Sequence, residues 1–521
     1  MPAVNTFAKF ATLSIFINFI LQISVFVSLL SLDARRQEKN HLDCFCCISL
    51  KKHPEKSSNV GLVNLFFERI YTPVIMVKPI RIFILVIFIV GLTTSAIIIP
   101  NIEIGLDQQL SMPVDSYVYK YFQYMQDLLS MGPPMYFVVT KGLNYSNYDV
   151  QNAISGASGC NDDSLYMQIF SAANRSNETY ISKPASSWLD DYYDWSTIHG
   201  CCKYFLNNNS FCPHNEESDM CESCNILHDE KYNLRPDSNS FRKYLTYFIT
   251  DVPDENCAKA GRASYLDGIN YYYDNYGMAD VGDSYFMTYH TPLKKSSDWY
   301  EALRSARLIA SSITNMINNA NLTSNKITVF PYSIFYVFYE QYLTITLNTI
   351  VSLAFSLMAI FIVTFLLTGY SIFSAIIVLI TVTMIVVNLG GLMVWWNISL
   401  NGVTLVNLVM ATGIAVEFCS HIVHAYLISN KNTREEKATE SLLRIGSSIF
   451  SGITLTKFVG IAVLGFAKTR IFTVLYFRMY LGIVLFGAAH GLIFLPVLLS
   501  FVGKCNLNIL EIMNYIVNLF S

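Results

Sequence analysis

Residues 371–394 read Ser371-Ile-Phe-Ser-Ala-Ile-Ile-Val-Leu-Ile-Thr-Val-Thr-Met-Ile-Val-Val-Asn-Leu-Gly-Gly-Leu-Met-Val394, without one charged side chain. A helix crossing the hydrocarbon core of a bilayer needs about 20 predominantly apolar residues. This run is long enough, and six others pass the same test: residues 7–30, 80–99, 346–367, 402–426, 447–467 and 473–500. The sequence therefore predicts a multi-span α-helical membrane protein with seven transmembrane helices. The first run is too long for the apolar core of a signal peptide, and no small-residue cleavage site precedes Leu32. Turns as short as Thr368-Gly369-Tyr370 make the later helices antiparallel neighbours.

Bulk properties agree. Of 521 residues, 53% are hydrophobic and 14% charged, which excludes a disordered chain and an ordinary soluble domain. A net charge of -3 offers no electrostatic footprint for nucleic acid. There is no G-x-S-x-G, phosphate-binding loop, dinucleotide fingerprint or kinase motif set. An enzyme, an ATP-driven pump and a bound cofactor are accordingly not expected.

Orientation follows from Lys and Arg in the loops. Residues 32–79 carry Arg35, Arg36, Lys39, Lys51, Lys52, Lys56, Arg69 and Lys78, so this linker is predicted to be cytosolic. Loop 427–446, with Lys431, Arg434, Lys437 and Arg444, falls on the same side by alternation, as does the tail 501–521. Residues 100–345 then lie in a lumen or outside the cell. Two segregations support this. Glycosylation sequons begin at Asn144, Asn174, Asn177, Asn208 and Asn321, all in that stretch. A sixth begins at Asn397, in a turn close to the bilayer. Seven cysteines, Cys160, Cys201, Cys202, Cys212, Cys221, Cys224 and Cys257, share the stretch, where disulfides persist.

Periodicity in 100–345 predicts helices near 116–131, 161–174 and 296–319 and strands at 135–140, 283–289 and 327–330, with a Cys-rich, loop-rich section between. The outside domain is thus expected to be α+β with a stapled insertion. Cys221-x-x-Cys224 with His228 has the look of half a zinc site, but no second ligand pair follows, so disulfides are expected and no metal. The aromatic segment 333–342 reads either as an interfacial belt or as a gate on an apolar ligand's path. Cys44, Cys46 and Cys47 lie close to the first span on the cytosolic side and are S-acylation candidates, with free thiols as the alternative.

The fifth run holds Gly413, Glu417, His421 and His424. The last three stand at i, i+4 and i+7, on one helical face. A carboxylate deep in a bilayer costs several kcal/mol unless paired or hydrated, and such residues usually serve ion or proton movement. Glu417 and His421 are proton-relay candidates, His421 because imidazole titrates near the pH of acidic compartments. A structural pair inside the bundle and a metal site are the alternatives, the latter short of a remote acidic ligand. Gly413 permits close helix approach. Lys457, in the sixth run, either pairs with Glu417 or snorkels to the interface. His490, between Gly487 and Gly491, reads as a packed, hydrogen-bonded histidine.

Longer stretches carry a resemblance. They are Gly105-Leu-Asp-Gln-Gln-Leu-Ser-Met-Pro113, Tyr285-Phe-Met-Thr-Tyr-His-Thr291, Ser447-Ser-Ile-Phe-Ser-Gly-Ile-Thr-Leu-Thr-Lys-Phe458, Tyr476-Phe-Arg-Met-Tyr-Leu481 and His490-Gly-Leu-Ile-Phe-Leu-Pro-Val-Leu-Leu-Ser500. To about Val502 the chain resembles the C-terminal part of the Niemann-Pick type C sterol transporters, of the resistance-nodulation-division superfamily that includes Patched. The resemblance implies that residues 1–31 are the last helix of a sterol-sensing domain, that 80–99 and 346–500 are the later spans, and that 100–345 form a luminal domain with a ferredoxin-like core. It implies that Gly413-x-x-x-Glu417 matches a proton-relay motif. It implies sterol transport between lumen and membrane, with a sterol and membrane lipids as ligands. Full members have thirteen spans, so the chain is expected to be a fragment or a truncated product. The luminal domain that docks a soluble sterol carrier is not in it. Ser155 stands where the family tends to have the partner of Cys160, so Cys160 is expected to be a free thiol. A Patched-like or sterol-uptake receptor and a non-transporting regulator are the rival functions. Late endosome or lysosome and plasma membrane are the alternative locations, as the tail shows no convincing acidic dileucine signal.

Overall fold

The computed structural model of the chain describes residues 2–38, 61–113, 115–216, 219–232 and 235–503. Cys44, Cys46, Cys47 and most of the tail lie outside these residues. The chain divides into two units: Met1–Asp115 with Ile345–Ser521, and Ser116–Thr344.

The first unit is helical. Among the described residues seven helices are long and apolar enough to cross a membrane: Asn5–Glu38, Lys78–Asn101, Ile345–Leu367, Ile372–Trp395, Gly402–Ile428, Arg434–Leu464 and Phe472–Val502. They match the seven predicted spans. The turn between the third and fourth is tight because Gly369 and Tyr370 both take positive φ, at 67° and 63°. One boundary differs. Most of the loop predicted at 427–446 is helical. Thr433 caps a helix at Arg434–Ser448, and this helix runs on through a π-helical turn, Ile449–Leu455, into the sixth span. Its charged residues lie on an amphipathic face, which a window of mean hydropathy reads as loop.

Polar contacts mark the two ends of this unit. At one end Arg81 is buried, with Nη2 3.0 Å from Glu435 Oε2 and Nη1 donating to Ser500 Oγ. Arg434 Nη1 donates to the Phe501 carbonyl at the same end. At the other, Gly105 N donates to Leu400 O and Leu400 N to Glu103 O, so residues 103–105 belong with the spans rather than with the luminal domain. The grouping of 78–81 with 434–435 and 500–501, and of 103–105 with 399–401, is the one the charge rule requires.

The second unit is α+β and is the luminal domain. Four strands form its sheet: β1 (Pro134–Val139), β2 (Ile269–Tyr273), β3 (Ala279–Tyr289) and β4 (Val329–Tyr332). Their order is β2-β3-β1-β4, and every pair is antiparallel. With helices between β1 and β2 and helix Ser296–Asn319 between β3 and β4, this is the β-α-β-β-α-β ferredoxin-like arrangement. Along β1, Met135, Phe137 and Val139 point inward and are fully buried, the period-2 pattern of a half-covered strand. Helix Ser296–Asn319 presents Ala302, Ala306, Ala310, Ile313 and Ile317 to the same core at helical spacing. The long β1–β2 connection adds Trp188, Tyr192, Trp195, Phe241 and Phe248. It also holds a small three-stranded sheet and the three disulfides of the described residues.

Candidate functional site

The fifth span starts where Asn401 accepts hydrogen bonds from the Val403 and Thr404 amides while Thr404 Oγ1 accepts one from Asn401 N. This reciprocal cap fixes the helical phase. One face then packs inward through Leu408, Ala411, Ala415, Phe418, Cys419 and Ile422. The opposite face carries the predicted stripe. Gly413, His421 and His424 are exposed and Glu417 is half-exposed among the described residues. A Cβ added at Gly413 would meet nothing within 4 Å, so no described helix uses this glycine for close approach.

Lys457 follows directly on the π-helical turn of the sixth span and pairs with Glu417 through Nζ and Oε2. Of its two sequence readings, pairing is the one realised. Nζ also lies 5.4 Å from the centre of the Phe418 ring, which adds cation–π attraction. A lone charge at this depth costs several kcal/mol, and the pair offsets much of that. His421 and His424 have no hydrogen-bond partner among the described residues. They line the open face one and two turns further along and do not converge with Glu417 as metal ligands.

A second polar set crosses three spans; it includes His490, read in the sequence as a packed, hydrogen-bonded histidine, and Ser95 and Asn388, which were passed over. Ser95 Oγ donates to Asn388 Oδ1, Asn388 Nδ2 lies 3.2 Å from His490 Nε2, and His490 Nδ1 lies 2.8 Å from the Phe486 carbonyl. The signal for it was Asn388, a polar residue inside an otherwise apolar run. The close approach of small residues sits here too. Added Cβ atoms at Gly487 and Gly491 would lie 2.7 and 2.9 Å from Phe418 of the fifth span.

In the luminal unit Cys201–Cys257, Cys202–Cys224 and Cys212–Cys221 are joined as disulfides, and Cys160 is free. Cys221 and Cys224 thus have no thiolate left for zinc. One group among the described residues has metal-ligand spacing, His214, Asp254 and Cys257, but Cys257 is oxidised and both His214 nitrogens are engaged. Nδ1 lies 2.7 Å from Asp251 and Nε2 2.7 Å from Asp254. Burial alone would lower His214, but the hydrogen bonds and charges of the two aspartates outweigh it, and its pKa is raised. His290, fully buried against Tyr336 Oη and the Tyr180 carbonyl, is pushed by burial down to about 4. Tyr336, Tyr339 and Tyr342 are buried in the luminal unit, and Val337 and Phe338 are exposed. All five luminal sequon asparagines are exposed.

Known proteins supply the context. The profile of the sterol-sensing domain of SREBP cleavage-activation matches residues 1–50. NPC intracellular cholesterol transporter 1 homolog 1b of Drosophila melanogaster is 48% identical over 512 residues, 96% of this chain and 40% of that protein. NPC intracellular cholesterol transporter 1 of Sus scrofa is 48% identical over 505 residues, 96% of this chain and 39% of its own length. NPC1-like intracellular cholesterol transporter 1 of Homo sapiens is 39% identical over 96% of this chain and 39% of its own length. The chain spans about two fifths of each of these relatives. With 39–48% identity to these relatives over 96% of its length, the chain belongs to the Niemann-Pick type C (NPC) family.

Proposed function

We propose that this chain takes part in moving cholesterol or a similar sterol between the luminal side and the membrane, with the Glu417–Lys457 pair as its proton-coupled element. The observation that carries the reading is an ion pair placed within the spans on a face lined by two further titratable groups, His421 and His424. The sterol comes from the names of the relatives, which match 96% of the chain. Protonation of Glu417 releases Lys457 and changes what the fifth and sixth spans hold between them, so a proton gradient can drive a packing change. A late endosomal or lysosomal membrane, acidic on its luminal side, supplies that gradient.

The test uses a chimera in which this chain is joined to the remaining three fifths of the Drosophila relative, in cells lacking an endogenous transporter of the family. Glu417→Gln is expected to lower pH-dependent sterol export by tenfold or more, since a relay residue acts at each turnover, with expression and glycosylation retained. Unchanged export would end the proton-coupling role.

A further inference from the structure

The luminal unit has a cleft of about 340 Å³ lined in part by Asn144, the first residue of its own sequon. The attachment point is held firmly. Asn144 Oδ1 accepts hydrogen bonds from both the amide and the hydroxyl of Ser146, and Ser238 Oγ donates to Ser146 Oγ. Tyr145 is buried between them, with its hydroxyl on Ser284 and its carbonyl accepting from Gln151. With Oδ1 engaged on the turn, the asparagine's Nδ2 is the atom left for attachment.

The far wall has the chemistry of a saccharide seat. Tyr272 is 58% exposed, so its ring has a face to offer. Arg242 is fixed beside it by a two-pronged pair with Asp280 and a third contact to Asp274, which leaves rigid polar groups at the cleft. Asn325 closes the rim, its side chain lying against Gly142, a position at φ +126° where a Cβ would come within 3.0 Å of Ile327. An aromatic face beside ordered donors and acceptors fits a ring with one apolar face and an N-acetyl group.

We propose that this cleft seats the N-acetylglucosamine core of the chain's own glycan at Asn144. The proposal presupposes that the sequon is used. Nδ2 then forms a bond to C1 of the first sugar, and the lipid-pyrophosphate carrier leaves with the amide's proton. Covalent attachment beside the cleft makes the binding intramolecular, so weak contacts suffice. A seated core is withheld from the trimming enzymes that reach a free glycan.

The test is site-resolved glycopeptide mass spectrometry of the full-length, membrane-inserted chain after passage through the Golgi of a vertebrate cell line. Glycan at Asn144 is expected to stay largely of the oligomannose type, with Asn174, Asn177, Asn208 and Asn321 more processed. Tyr272→Ala, a surface change, should bring Asn144 to the processing level of the others, a severalfold loss of oligomannose. Resistance of the native wild-type site to a peptide N-glycosidase, which releases oligomannose and processed glycans alike, is the second readout, and it should be lost in the variant. An unmodified Asn144 overturns the proposal outright. A modified Asn144 processed like the rest, or one indifferent to Tyr272→Ala, overturns the seat itself.

Discussion

His214 shows what a single side chain contributes here. Both ring nitrogens face aspartates, Asp251 from the end of helix Ser238–Thr250 and Asp254 from the loop beyond it. Asp251 also accepts from Trp195 Nε1, and Lys203 donates to the His214 carbonyl, so these are the charged and titratable groups around the ring. The folded pKa is raised above 6.5. The stabilisation is therefore complete below the unfolded pKa and lost as pH rises through the folded one. Limited proteolysis of residues 198–237 should be slower at about pH 5 than at about pH 8, across the range where His changes charge. His214→Gln should flatten that difference; an unchanged pH dependence would remove His214 as its source. None of this could be read from the sequence, because a histidine among loop residues does not announce which acids fold onto it. Glu417 and Lys457 were readable as two charges in apolar runs, but their pairing joins different helices and is a tertiary fact.

At the level of elements, the strongest periodicities held. Helix Ser296–Asn319 was placed to the residue and β1 to within one. β2 was missed because Ile-Asn-Tyr-Tyr-Tyr lacks the apolar alternation that marks a strand; it is an edge strand with a bulge after Ile269, and Tyr272 and Tyr273 stay exposed while Tyr271 packs against the core. Helices Trp188–Thr197 and Ser238–Thr250 were hidden by the cysteines and polar residues around them, although their buried faces carry much of the core. In the spans, Gly413 looked like the small residue that lets helices approach, yet Gly487 and Gly491 are the ones pressed on Phe418. Glycine spacing alone does not tell which face meets a neighbour. Gly487→Ala should therefore cost about 1–3 kcal/mol by forcing Phe418 aside, and Gly413→Ala close to nothing by comparison. Thermal melts of the two variants in detergent would check this. Equal losses would mean that the fifth and last spans do not meet at Gly487.

Over the whole molecule, membrane class, number of spans and the luminal position of the cysteines were all legible, because a bilayer constrains length, charge and redox state at once. The sheet order was legible only through resemblance, since pairing β1 with β3 and β4 depends on contacts between residues far apart in sequence. The luminal unit has its own apolar core and three disulfides. Residues 116–344 behind a secretory signal should accordingly fold alone, with a cooperative melt that is lost on reduction. A product that aggregates or melts without cooperativity would show that it depends on the spans.

The strand order has a consequence for inheritance as well as for stability. β1 and β4 run antiparallel as neighbours, with Tyr136 beside Tyr332, so the chain enters and leaves this sheet at one end. A domain whose two leads emerge together behaves as a cassette. It can be lengthened in its β1–β2 connection, shortened, or exchanged for a relative's version without threading the membrane segments anew. Change in the cysteine-rich connection, where Cys160 stands outside the three disulfides, is then free to proceed while the helices on either side keep their register.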